Sequence, residues 1–87
     1  MNILIVGNSG MGKSNMADLL RNGIFKADRE AAIKIDDADR VAKAMGNGKN
    51  EYSIVVRQQA TKEDEDRADV VVEIKSKAFI DKFKELY

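Results

Sequence analysis

Ile3-Leu4-Ile5-Val6-Gly7-Asn8-Ser9-Gly10-Met11-Gly12-Lys13-Ser14 begins with four apolar residues, turns through three glycines, and closes on a lysine and a hydroxyl. A short apolar run that ends at glycine is the pattern of a parallel strand buried on both faces. Downstream, Met16, Leu19 and Leu20 recur at i, i+3 and i+4. That spacing gives one apolar face to a helix from about Lys13 to Arg21, with Asn22-Gly23 as its stop. The stretch therefore reads as strand, glycine-rich loop and helix.

Working outward, Ala31 to Ile35 alternates weakly and leads into the acids Asp36, Asp37 and Asp39. Their carboxylates favour the start of a second helix that carries Ala38, Val41, Ala42 and Met45 and stops at Gly46. Gly46 to Asn50 then reads as a helix C-cap followed by a turn. Tyr52 to Arg57, centred on Ile54, Val55 and Val56, predicts a third strand. Thr61-Lys62-Glu63-Asp64 has capping-box spacing for a short helix reaching about Arg67, and its charges read as a solvated face. Val70 to Val72 predicts a fourth strand, and Ser76 caps a final helix with Phe79, Ile80, Phe83, Leu86 and Tyr87 on one stripe. Strands alternating with helices predict an α/β fold, a three-layer sandwich with a mostly parallel sheet of about four strands and helices on both faces. A single domain over residues 1–87 is expected.

Composition narrows the chemistry. The 87 residues hold no cysteine and no histidine, which excludes a disulfide, a thiolate metal site, a cysteine nucleophile and an imidazole base. Any catalysis falls to carboxylates, Lys, Arg, Ser or Thr, or to a metal held by oxygens. Fifteen basic residues balance fifteen acidic ones, so a nucleic-acid partner is not implied. The run Ile3 to Val6 is too short for a signal-peptide core and nothing approaches a membrane span, so the expected compartment is the cytoplasm, with no membrane partner.

Gly7 to Ser14 fits G-x-x-x-x-G-K-[ST], and each fixed position has a physical reason. The glycines let the backbone turn its N–H groups inward around phosphate oxygens. Lys13 supplies a mobile cation for β and γ phosphates, and Ser14 offers its hydroxyl to Mg²⁺. The helix beginning there directs its positive dipole end at the anion. The expected phosphate-binding residues are Gly7, Asn8, Ser9, Gly10, Met11, Gly12, Lys13, Ser14 and Asn15, with ATP or GTP and Mg²⁺ as ligands.

From Met1 to about Gly23 the chain resembles the P-loop NTPase superfamily. Ile35-Asp36-Asp37-Ala38-Asp39-Arg40 is similar to the D-x-D that follows the second strand in shikimate-kinase-like and gluconate-kinase-like enzymes. There the acids address metal-bound water and the acceptor, which implies catalytic roles for Lys13, Asp37 and Asp39 and a metal site at Ser14 and Asp37. Glu73, within the fourth strand, is the other candidate for the metal carboxylate. Arg57-Gln58-Gln59-Ala60-Thr61, followed by Arg67-Ala68-Asp69 and an apolar strand, resembles the closing segment of nucleotide and dephospho-coenzyme-A kinases. In those enzymes the segment runs beside the nucleotide base.

The chain departs from these kinases in length. Only eleven residues separate Arg57 from Asp69, too few for an arginine-bearing lid or an acceptor-binding insertion. Two functions remain open at this point. One is a miniature kinase-like domain that transfers a γ-phosphoryl group to a nucleotide or small hydroxyl acceptor. The other is a nucleotide-dependent regulatory module with a protein partner or self-association. A motor or GTPase reading lacks the N-K-x-D guanine motif.

Overall fold

The computed structural model describes residues 1–8, 10–37, 43–75, 82 and 85. In chain order they form β1 (Asn2–Gly7), α1 (Lys13–Ala27), β2 (Ala31–Asp37), β3 (Lys43–Met45), β4 (Asn50–Arg57), α2 (Lys62–Arg67) and β5 (Val70–Ile74). The fold is a small α/β arrangement with one five-stranded mixed sheet, in the order β3-β2-β4-β1-β5. β1 pairs in parallel with β4 and β5, and β2 in parallel with β4, while β3 runs antiparallel to β2. The expectation of four strands omitted β3.

Alternation along the strands divides the apolar residues between two faces. Ile3, Ile5, Ile33, Ile35, Ile54, Val56 and Ile74 share one face and pack with Met16 and Ala17 of α1 in a single buried cluster. Leu4 is buried on the other face. Removing a large side chain from such a cluster, as in Ile54→Ala, costs about 2 to 5 kcal/mol because a cavity remains.

Helix α1 does not stop at Asn22-Gly23 but continues to Ala27. Glycine inside a helix costs about 1 kcal/mol against alanine. Ile24 and Phe25, in the added turn, pack against the core and offset that cost. The helix ends at Asp28, whose N–H donates to the Ile24 carbonyl at 2.7 Å, with Lys26 in the last turn where its charge complements the helix dipole.

The second predicted helix is corrected over Lys43 to Met45. These residues form β3, with Met45 opposite Ile33 and Lys43 opposite Ile35, so pairing with a buried neighbour strand overrides weak helical spacing. Asp36 and Asp37 are the last two residues of β2. Residues 38–42, including Asp39 and Arg40, lie outside the described residues. Gly46 is left-handed as a C-cap would be, at φ +79°, but it follows a strand.

α2 matches its sequence signature. Thr61 accepts from the Asp64 N–H at 3.1 Å while the Asp64 carboxylate accepts from the Thr61 N–H at 3.1 Å, a closed capping box. No residue of α2 is buried, as a solvated helix requires. Of the predicted final helix only Lys82 and Glu85 are described, and both are helical and exposed. Among the described residues no helix is long and apolar enough to cross a membrane.

Candidate functional site

Parallel pairing brings the carboxyl ends of β1, β2, β4 and β5 to one rim of the sheet. Val6 stands opposite Arg57, Asp37 opposite Val56, and Gly7 opposite Ile74. In open α/β sheets ligands gather outside this rim, where successive strands fall to opposite sides of a central one. β1 has that place here, with β4 on one side and β5 on the other.

Between β1 and α1 the chain turns at Asn8, whose carbonyl accepts from the Met11 N–H at 3.3 Å. Gly10 and Gly12 are both left-handed, at φ 80° and 83°, a region that costs other residues about 1 to 2 kcal/mol. Gly12 is also the N-cap of α1 and carries no side chain to satisfy the first-turn N–H groups, and no acid occupies that turn. Such a helix start favours an anion.

Lys13 and Ser14 are the first two residues of that helix. Lys13 Nζ donates to the Asn8 carbonyl at 3.0 Å, so the ammonium folds back over the loop. Ser14 Oγ donates to Asp37 Oδ2 at 2.6 Å. Asp37 is 5% exposed and is the one buried charged residue among the described residues. A buried carboxylate is costly unless polar partners satisfy it, and the Ser14 hydroxyl supplies such a bond. A carboxylate and a hydroxyl at this distance form a pair of hard oxygen donors suited to Mg²⁺.

The sequence weighed Asp37 against Glu73, and the fold separates them. Asp37 meets Ser14 at the carboxyl rim on the α1 side. Glu73 is exposed and pairs with Val6, so it points to the opposite face from Ile5 and Ile74. Ser9 and Asp39 lie outside the described residues, and Asn15 is exposed on α1.

Asp36, next to Asp37, points to the opposite face and holds Arg57 there. Arg57 Nη2 meets Asp36 Oδ2 at 3.0 Å, and Arg57 Nε approaches Asp64 of α2 at 3.5 Å. The Asp36 bond, with smaller help from Asp64, raises the Arg57 pKa. Asp64 is lowered below the usual carboxylate value, chiefly by the Thr61 N–H. Arg57 thus sits at the rim but is turned away from Ser14. Arg67 and Asp69, read with Arg57 as one segment beside a base, stand at the other rim. There Asp69 accepts from the Asn2 N–H at 2.7 Å and the Arg67 carbonyl accepts from Asn2 Nδ2 at 3.0 Å.

The sequence reading did not connect Asn8 with Gln58 and Gln59, which together line an open polar depression of about 510 Å³. Nothing in their spacing shows this, since it depends on β4 being the neighbour of β1. No protein-family model matches the chain, and no curated protein or solved structure matches it.

Proposed function

We propose that the chain binds Mg·ATP or Mg·GTP through Gly7 to Asn15 as a kinase-like P-loop protein of low intrinsic turnover. The observation that carries this is the 2.6 Å hydrogen bond between Ser14 and the buried Asp37, formed where a glycine loop opens a helix. In this reading the first-turn N–H groups and Lys13 take the phosphates, and Ser14 and Asp37 hold the metal, Asp37 through water. Mg²⁺ would neutralise charge on the β and γ phosphates during transfer. α1 and α2 cover opposite faces of the sheet in a three-layer sandwich. Free triphosphate and Mg²⁺ are cytoplasmic solutes, which sets the compartment the reading expects.

Low turnover is favoured by Arg57, whose pairing with Asp36 and Asp64 keeps its guanidinium from the loop. An arginine at the transferring phosphate can contribute a factor of about 10³ to 10⁵ in rate. We expect fewer than about one turnover per minute, against roughly 1 to 100 per second for protein kinases. Calorimetric titration with ATP and GTP, with and without Mg²⁺, tests the reading. Lys13→Ala should weaken triphosphate binding by about 2 to 4 kcal/mol while the fold survives. Absence of triphosphate affinity in the wild-type chain at millimolar ligand, or equal binding by Lys13→Ala, would sink it.

A further inference from the structure

Gln58 and Gln59 leave the carboxyl end of β4 directly beside the glycine loop. The register that sets Val6 opposite Arg57 makes Gly7-Asn8 and Gln58-Gln59 emerge side by side. All three carboxamide residues are exposed, and no hydrogen bond among the described residues engages either glutamine side chain. A carboxamide offers a donor and an acceptor without charge, the complement of a hydroxyl group, which also carries both. Asn8 marks one end of the loop. Its carbonyl holds the Lys13 ammonium at 3.0 Å, and in the proposed function that ammonium addresses the β and γ phosphates. In that reading the depression lies beside the ammonium that takes the β and γ phosphates.

Resting on that phosphate-binding reading, we infer that Asn8, Gln58 and Gln59 form the subsite that aligns an uncharged hydroxyl nucleophile, water or a small alcohol, against the terminal phosphate. In the transfer the nucleophile's oxygen forms a bond to the γ phosphorus. The bond from that phosphorus to the β,γ-bridging oxygen breaks, and its electron pair leaves with the nucleoside diphosphate. The hydroxyl proton is released to solvent, because an amide orients a nucleophile without acting as its base. A nucleoside monophosphate suits this lining less well: its phosphate calls for a guanidinium or ammonium partner, and Arg57, the residue before Gln58, is turned to Asp36 and Asp64.

The test titrates the full chain with Mg·ADP plus beryllium fluoride, which mimics the bound terminal phosphate, and with Mg·ADP plus aluminium fluoride, which also holds an in-line nucleophile. For the double variant Gln58→Ala, Gln59→Ala we expect beryllium-complex affinity within about two-fold of wild type and aluminium-complex affinity at least about ten-fold weaker. Affinities that are both unchanged, or that fall together, overturn the subsite. Wild-type protein that binds neither complex overturns the phosphate-binding reading itself. In a second arm, γ-labelled Mg·ATP is incubated with water alone, with glycerol, and with nucleoside monophosphates. Label released as inorganic phosphate assigns water, and label on glycerol assigns an alcohol. Label transferred preferentially to a monophosphate overturns the inference.

Discussion

Gly10 and Gly46 share nearly the same backbone angle, φ +80° and +79°, in opposite surroundings. A Cβ added at Gly46 would stand 2.5 Å from the Ala31 carbonyl oxygen and 3.1 Å from the Phe25 ring, whereas at Gly10 no atom of the described residues would lie within 4 Å of it. Gly46 belongs to the amino rim of the sheet, where polar groups are densely paired. There the Asp28 carboxylate accepts from the Tyr52 hydroxyl, from Asn50 Nδ2 and from the Glu30 N–H, each at 2.9 Å. Gly10 belongs to the carboxyl rim, where the backbone turns around open space. One glycine lets two backbone segments touch, and the other keeps room clear.

Substitution at Gly46 tests that contrast most severely. Gly46→Ala adds about 1 to 2 kcal/mol of dihedral cost to an overlap with backbone that can only be relieved by moving it. We expect a loss of at least about 3 kcal/mol in urea denaturation, and an unchanged midpoint would break the comparison. Asp37→Asn comes next and should weaken Mg·ATP binding by about 1.5 to 3 kcal/mol while metal-free ATP binding changes little. A magnesium dependence lost in Glu73→Gln and intact in Asp37→Asn would reverse the assignment. Gly10→Ala should reduce stability by only about 1 to 2 kcal/mol, the dihedral cost without a clash. If it destabilised as much as Gly46→Ala in the same denaturation series, the carboxyl rim would be no more open than the amino rim.

The smallest effect is expected for Tyr52→Phe, and its pH profile sharpens the picture of the amino rim. Hydrogen bonds from Asn50, then Tyr52, lower the Asp28 pKa below the ordinary carboxylate value. A lowered carboxylate contributes stability above its unfolded pKa of about 3.9 that is lost as pH falls through the folded value. The hydrogen bond to Asp28 raises the Tyr52 pKa. Its contribution is present below about pH 10 and lost as pH rises through the folded value. The deficit of Tyr52→Phe relative to wild type should be constant between about pH 5 and 9 and shrink on either side. A deficit that persists unchanged below about pH 3 would show that Asp28 does not carry the effect.

What the sequence disclosed was local. The apolar run before Gly7, the helix start at Lys13 and the Thr61 to Asp64 capping box are each written within a few residues, and the structure has all three elements. What it concealed was set by contacts between distant segments. Helix α1 passes Gly23 because Ile24 and Phe25 find the core, and Lys43 to Met45 become a strand because Ile33 and Ile35 lie alongside. Ser14 and Asp37 were paired in the sequence only through the D-x-D resemblance, and the 2.6 Å hydrogen bond between them depends on β2 ending beside the start of α1. Arg57 was legible as the last residue of a strand, but its turn toward Asp36 depends on which face of β2 each acid occupies.

Sheet order also has a consequence in time. β1 is made before the other four strands yet lies between β4 and β5, so Ile3 waits for Ile54 on one side and Val70 on the other. Until Val70 to Ile74 has left the ribosome, Ile3-Leu4-Ile5-Val6 has at least one unpaired strand edge, and before β4 is made it has two. An apolar strand with open edges is a template for pairing with another chain. Parallel partners so distant in sequence also close slowly. The order of synthesis thus runs against the order of assembly, and the interval before β5 emerges is when this chain is most exposed to joining a neighbour instead of itself.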